Sequence, residues 1–254
     1  MAKKLNVTGC IVTYNNADII EKCIQSLLEN TKGVNFTLYI SDNHSSDDTV
    51  NKVKEHFHQV KVIENKSNKG FGEGHNCVIP HLRSKYHFII NPDIFIDKDV
   101  ISELTEYLEK HPDVAMVTPK ILNPDSSEQY LPKRNPTLRY VLLSKFPRFK
   151  YLRKEYTREN EKISQPAEID FCTGCFFGIR TKDFINTHGF DRRYFMYMED
   201  ADLSRKIRKK SKIIFLPGIY VYHEWKRDNI KSIRGMARWF NSMFKYFCKW
   251  GWKL

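Results

Sequence analysis

Residues 86–93 read YHFIINPD, a short apolar, β-branched run cut off by Asn91-Pro92-Asp93. A run of that length and composition reads as a buried strand. A proline has no N–H to give a central ladder, so the chain leaves the sheet there, on a carboxylate. The same figure recurs upstream: Val7–Thr13 and Phe36–Ser41 are apolar runs that end in Thr13-Tyr14-Asn15 and Asp42-Asn43, and Val60–Ile63 is a shorter one. Helical spacing lies between them. Ile19, Ile20, Cys23, Ile24, Leu27 and Leu28 follow Asn15-Asn16, while Val50, Val53 and Phe57 lie in Ser45–Phe57, whose Ser and Asp residues mark a helix start. Strands alternating with helices predict an α/β domain with a mostly parallel central sheet. Ligands of open α/β sheets bind beyond the carboxyl ends of the strands. This topology therefore gathers Thr13, Tyr14, Asn15, Asp42, Asn91 and Asp93 on one edge. Acids that repel one another on a shared edge call for a cation or a polar ligand.

The glycine-rich segment Asn68–Asn76, NKGFGEGHN, falls on the same edge. Glycines allow close backbone approach, so Asn68, Gly70 and Gly72 are candidates to meet a phosphate or sugar. A helix is expected near Cys77–Leu82, shortened by Pro80. Asp97 or Asp99 caps the next helix, with Val100, Ile101, Leu104 and Leu108 inward, and Val114–Thr118 is a strand. From Asn123, four prolines punctuate a basic, aromatic excursion that is partly helical around Leu138–Lys145. Glu168–Ile179 returns as a strand, Thr181–Thr187 is a short helix stopped by Gly189, and Ile213–Leu216 is a strand. In YFMYMEDADLSRKIR, from Tyr194 to Arg208, three carboxylates (Glu199, Asp200, Asp202) follow an apolar aromatic run and open a helix. The helix dipole accounts for acids at that position. An apolar wall would also raise one of them toward a pKa suited to a general base. His223, on a polar strand end, is a possible metal ligand.

The net charge of +12 is concentrated in two places. Lys133–Lys162 holds ten basic and three acidic residues, and Lys226–Leu254 eight and one, while the remainder is slightly acidic. Such segments favour an anionic partner docking at particular places. In the tail, Ile230, Ile233, Ala237, Phe240, Phe244 and Phe247 repeat at helical spacing among Lys231, Arg234, Arg238, Lys245 and Lys249, and all four tryptophans fall in Trp225–Trp252. A basic amphipathic helix with aromatic anchors suits a membrane interface; the alternative is a helix packed on its own domain. No apolar run reaches the ~18 residues of a spanning helix. Cys172 and Cys175 have the C-x-x-C spacing without a second ligand pair, so reduced thiols are expected. The division expected is a domain over 1–224, containing the 133–162 excursion, and a tail over 225–254.

Together Val12–Asn16, Ser41-Asp42-Asn43, Asn68–Asn76, Asn91-Pro92-Asp93, Thr173-Gly174-Cys175 and Gly189-Phe190-Asp191 with Tyr197–Leu203 resemble the inverting nucleotide-sugar glycosyltransferases of family 2, which have the GT-A fold. The Asn-Pro-Asp and Glu-Asp-x-Asp-Leu forms are most similar to bacterial rhamnosyltransferases of cell-wall, capsule or O-antigen assembly. The resemblance implies that Thr13, Tyr14 and Asn15 line the nucleotide pocket and that Asp42 binds the base or ribose. Asn91 and Asp93 stand where the family has Asp-x-Asp, so Asp93 would bind Mg²⁺ or Mn²⁺, with His223 as a further contact. Asp200 matches the catalytic base, and Asn91, Gly174 and Glu199 are substrate-binding candidates. It also implies a dTDP-rhamnose or UDP-sugar donor, a lipid-linked glycan acceptor, and a cytoplasmic enzyme peripheral to the anionic inner face of the plasma membrane. A sugar nucleotidyltransferase would instead carry a glycine- and arginine-rich loop after the first strand. A nucleic-acid module, argued from charge and aromatics, leaves the carboxylates unexplained, because acids repel phosphates.

Overall fold

The computed structural model describes residues 4–144, 146–224 and 233–252; Lys145, Trp225, Ile230, Lys231 and Leu254 lie outside the described residues. The first half alternates as the sequence predicts: β1 (Asn6–Thr13), α1 (Ile20–Asn30), β2 (Asn35–Asp42), α2 (Thr49–His56), β3 (Lys61–Glu64), α3 (Phe71–Asn76), β4 (Tyr86–Ile90), β5 (Ile94–Phe95), α4 (Val100–Lys110) and β6 (Val114–Leu122). The excursion carries α5 (Leu138–Leu143) and α6 (Tyr151–Thr157). Then come β7 (Ala167–Glu168), β8 (Phe176–Arg180), α7 (Thr181–Asn186), α8 (Glu199–Arg208), β9 (Lys212–His223) and α9 (Ile233–Trp250).

One sheet runs in the order β3-β2-β1-β4-β8-β6-β9-β5, with β7 also on β9. It is parallel from β3 to β4 and again between β6 and β9; β8 is antiparallel to both of its neighbours. The parallel register sets Thr13 opposite Asp42, so the ends of β1 and β2 are level. Every residue of β4 is buried, as befits a strand covered on both faces. One core holds Ile20, Ile24 and Leu27 of α1, Val53 of α2 and Leu104 of α4; the other holds Phe184 of α7 and Leu203 and Ile207 of α8. Each such apolar side chain contributes about 1.5–3 kcal/mol on burial. Asp99 caps α4, accepting from the Ser102 N–H at 3.1 Å and from the Lys32 and Gly33 N–H groups at 2.8 Å.

Four expectations are corrected. The helix expected at Cys77–Leu82 lies on the glycine-rich segment itself, as α3; Pro80, which cannot donate, sits in a 3-10 turn. Gly72 and Gly74 are there for close packing, since an added Cβ would meet Phe190 at 2.7 Å and Val12 at 2.8 Å. Next, α2 begins at Thr49 rather than Ser45, because the Ser45 N–H and hydroxyl turn back to Asp42. The predicted strand Glu168–Ile179 splits into β7 and β8. Its middle donors serve α8 instead of a ladder: the Cys172 N–H donates to Ser204 Oγ at 3.1 Å and the Gly174 N–H to Asp200 Oδ2 at 3.0 Å. Finally, Ile213–Leu216 and Val221–Glu224 belong to one long strand, β9, up to His223.

The tail helix shares a core with the domain. Tyr246, Phe247 and Met243 of α9 pack with Val141, Phe171, Tyr194 and Ala201. Phe247 lies on the predicted apolar stripe, but Phe240 and Phe244 remain exposed, at 45% and 58%. The helix thus has an inward aromatic face and an outward one. Among the described residues no helix is long and apolar enough to cross a membrane.

Candidate active site

The carboxyl ends of β1, β2 and β4 form the floor. Thr13 is buried and donates its hydroxyl to Asp42 Oδ1 at 2.8 Å; Ser45 Oγ donates to the same oxygen at 2.5 Å, and the Ser45 N–H to Oδ2 at 2.8 Å. Asp42 therefore joins two strand ends and the following loop. Tyr14 is exposed at the rim, and Asn15 adopts a left-handed backbone, φ 55°, with its side chain accepting from the Ser46 N–H at 2.8 Å. Asn43 continues inward, donating its amide to the Gly70 carbonyl at 2.9 Å.

Gly70 has φ +83°, and a Cβ there would lie 2.0 Å from the Phe195 carbonyl oxygen. That contact, with the Phe71 N–H donating to the same carbonyl at 3.0 Å, brings the glycine-rich segment against the loop that enters α8. Asn68 serves it locally, accepting from the Gly70 N–H at 2.9 Å. The room opened by Gly70 and Gly72 is filled by Phe195, Phe190 and the flank of Glu199.

The entering loop ends in Tyr197 and Met198, at φ 71° and 68°. Two consecutive non-glycine residues in the left-handed region are uncommon and cost energy. They deliver Glu199 and Asp200 to the first turn of α8. Asp200 is held from two sides, by the Gly174 N–H at 3.0 Å and the Ala201 N–H at 2.9 Å. Burial raises its pKa, while the Gly174 N–H and the Lys133 charge restrain the rise. Glu199 is buried, and its Oε2 has no hydrogen-bond partner. Burial, then the neighbouring Asp200, pushes its pKa well above the carboxylate range. Of the two, Glu199 is the harder to ionise, because fewer groups restrain its rise.

Asp93 reaches the same cleft. The Asn91 N–H donates to the Cys175 carbonyl at 2.8 Å, next to the Gly174 amide that holds Asp200. Burial pushes the Cys175 thiol up to about 12, and both Asp93 and Asp200 add to the rise. Such a thiol is inert as a nucleophile. Asp93 Oδ1 lies 3.2 Å from His223 Nε2. The His223 ring is oriented by Gln129, which donates to the carbonyls of His223 and the side chain of Asn123, each at 2.9 Å, and so turns Oε1 toward His223 Nδ1 at 2.9 Å. The proton then sits on Nδ1, and Nε2 faces the buried Oδ1 of Asp93. Two electron-rich atoms facing each other fit a shared cation. Among the described residues no three His, Cys, Asp or Glu side chains gather around one point, so phosphate oxygens and water would complete such a cation's shell.

The structure sets Asp42, Asn91, Asp93 and His223 at strand ends on one edge of the sheet, and brings Gly174 against Asp200. Gln129 gives no sequence signal. Lys133, near Asp200, is masked by the charge run it opens.

Residues 9–187 match the model of Glycosyl transferase family 2.

The chain belongs to glycosyl transferase family 2.

It is 25% identical over 250 residues to rhamnosyltransferase WbbL of Escherichia coli K12, covering 94% of this chain and 91% of that one. It is 26% identical over 231 residues to the N-acetylglucosaminyl-diphospho-decaprenol L-rhamnosyltransferase of Mycobacterium tuberculosis, covering 84% and 74%. In fold it resembles GalNAc-T7 solved with UDP, GalNAc and Mn²⁺ (TM-score 0.68, 16% identity, 90% of this chain and 45% of that one). It also resembles the mannosyltransferase PcManGT of Pyrobaculum calidifontis solved with GDP-Man and Mn²⁺ (TM-score 0.66, 15% identity, 98% and 64%). The chain therefore spans less than two thirds of either solved chain. The fold is GT-A, and this family 2 chain is a glycosyltransferase.

Proposed function

We propose that this glycosyltransferase transfers L-rhamnose from dTDP-L-rhamnose to a hydroxyl of a lipid-linked glycan, with inversion at the anomeric carbon. The observation that carries the reading is Asp200: a carboxyl fixed by two backbone amides, beside a buried Glu199 that is harder to ionise. Asp200 takes the proton of the acceptor hydroxyl as its oxygen attacks the anomeric carbon, and the glycosidic bond's electrons leave with the nucleoside diphosphate. Held still by Gly174, Asp200 needs no reorganisation to meet that hydroxyl.

Asp93 and His223 would hold a divalent cation, Mg²⁺ or Mn²⁺, which when bound neutralises charge on the departing diphosphate. Tyr14 and Asn15, at the rim over Asp42, would cover the nucleotide. The sugar assignment is supported by the two rhamnosyltransferase relatives, and the lipid-linked acceptor by the one named for a diphospho-decaprenol.

Docking on an anionic bilayer, at the cytoplasmic face, is part of the same reading. The two basic segments of the sequence share one core, between α5 and α9. Around it Phe146, Phe240, Phe244 and Trp252 stand exposed. Aromatic anchors among basic residues favour an interfacial site.

The test is a thermal-shift screen of dTDP- and UDP-sugars with and without Mn²⁺, followed by transfer assays of Asp200→Asn. The stabilising donor identifies the nucleotide. Loss of about 10²–10⁴-fold in turnover with donor stabilisation intact supports the base assignment; retention of most of the rate overturns it.

A further inference from the structure

The excursion that leaves the sheet after β6 brings one lysine back to the cleft. Lys133 pairs through its backbone with Phe171, three residues before Gly174. Its ammonium lies over two rings, 5.3 Å from the Phe171 centroid and 5.9 Å from that of Tyr156. Tyr140 stacks on Tyr156 at 3.9 Å and stiffens that wall. Among the described residues Lys133 makes no ion pair and its ammonium donates no hydrogen bond, although both Asp200 oxygens are engaged by backbone amides nearby. Arg153 stands one turn before Tyr156 on α6, so the wall that Lys133 faces carries a second cation; burial lowers the Lys133 pKa and Asp200 raises it. Arg153 is exposed and, among the described residues, has no carboxylate partner, whereas Arg134 and Arg158 of the same excursion both bind Glu161.

Asp200 is one anion for Lys133, but its oxygens are taken by backbone amides, so the ammonium and the exposed Arg153 keep donors for a second. Lysine is a point charge suited to phosphate. The aromatic walls continue into the apolar core shared by Leu138, Val141 and α9, the face with the exposed aromatics. An anion here would have the base on one side and an apolar surface on the other. Asp93 and His223 sit at the junction of β5 and β9.

We propose that Lys133 and Arg153 form a site for the phosphate groups of a phosphorylated acceptor, one sugar away from the hydroxyl that Asp200 deprotonates. The site rests on the reading of Asp200 as base, and it makes the acceptor's diphosphate, not only its sugar, a recognised feature.

The test uses the full chain and a matched pair of acceptors: a short-chain alkyl diphosphate of N-acetylglucosamine and the corresponding alkyl glycoside without phosphates. In Lys133→Gln, and separately in Arg153→Gln, the preference for the diphosphate acceptor, as the ratio of kcat/KM values, falls about tenfold or more, as expected for one lost hydrogen bond to a charged group. KM for the nucleotide sugar stays within about twofold, and Lys133→Arg restores most of the preference. An unchanged acceptor preference overturns the proposal, leaving Lys133 as an electrostatic neighbour of Asp200 alone. A rise confined to the donor KM also overturns it, because the site then belongs to the donor's diphosphate. Calorimetric binding of the same alkyl diphosphate sugar separates this site from the activity. If wild type and Lys133→Gln bind it equally, the site is wrong. If wild type binds more tightly but transfers no sugar, the site stands and the transfer reading fails. Arg153 is exposed, so its variant does not depend on refolding of the cleft.

Discussion

Lys249→Met is the most informative single perturbation of the fold. Lys249 Nζ lies 2.6 Å from Asp202 Oδ1 and 2.8 Å from Asp191 Oδ2. Asp202 is fully buried on α8, two residues beyond Asp200, and Trp250 Nε1 donates to the same Oδ1 at 2.7 Å. Removing one partner of a buried ion pair costs about 3–5 kcal/mol. The remaining Trp250 N–H, and Lys206 at 3.7 Å, hold the cost near the lower figure, about 3 kcal/mol. For a chain of this size each kcal/mol moves the midpoint by about 2–4 °C, so Tm should fall by about 6–12 °C. The double variant Lys249→Met with Asp202→Asn removes the stranded charge and should recover part of the loss; a double-mutant cycle by differential scanning fluorimetry and urea titration measures the coupling. A Tm within about 2 °C of wild type for Lys249→Met would refute the claim that α9 is joined to α8 through a buried charge.

Four further outcomes are expected. Asp93→Asn should abolish the Mn²⁺-dependent part of donor stabilisation in thermal-shift assays while leaving the metal-free Tm close to wild type. Glu199→Gln should stabilise the protein more at pH 8 than at pH 5: a carboxyl raised on folding binds its proton more tightly in the native state, so its contribution is lost as pH rises above the unfolded pKa toward the folded one. Urea titrations at the two pH values check this, and an equal effect at both contradicts it. Phe240→Ser with Phe244→Ser, both on the outward face of α9, should weaken binding to anionic vesicles about tenfold or more without lowering Tm; unchanged co-sedimentation excludes that face as the docking surface. Gly174→Ala places a Cβ 3.1 Å from the Phe71 ring and 3.5 Å from Asp200 Cβ, so turnover should fall more than donor binding does.

The strand ends were legible because each carries its own stop: Thr13-Tyr14-Asn15, Asp42-Asn43 and Asn91-Pro92-Asp93 follow unmistakable apolar runs. Parallel pairing of β1, β2 and β4 then set Asp42 and Asp93 on one edge. The direction of β8 was not legible. A run buried on both faces looks the same parallel or antiparallel, and only the Arg180 side chain, donating to the carbonyls of Val114, Leu108 and His111, reveals how β8 is tied beside β6. Nor could the break at Cys172–Gly174 be read, because it arises from donors captured by Ser204 and Asp200, about thirty residues later. Periodicity in α9 found one apolar stripe and missed the other, since Tyr246 and Trp250 pack inward with a polar edge toward Arg205 and Asp202. Gln129 orients His223 from a stretch with no pattern at all.

The position of Asp200 depends on chain segments far apart in sequence, and α9 is one of them. The left-handed pair Tyr197-Met198 costs about 1–3 kcal/mol per residue and persists only if its surroundings hold it. Gly70 holds the loop from the sheet side through Phe195. From the opposite side α9 holds it twice: Ser242 Oγ donates to the Met196 carbonyl at 2.8 Å, and Lys245 Nζ to the Arg193 carbonyl at 2.7 Å. Phe244, between those two residues in sequence, points outward. A single helix therefore carries the aromatic outer face on one side and the supports of the base loop on the other. Removing α9 would release the strained loop as well as any lipid contact. Substitutions on its outer stripe, not truncation, are thus the means of separating where this glycosyltransferase binds from how it positions its base.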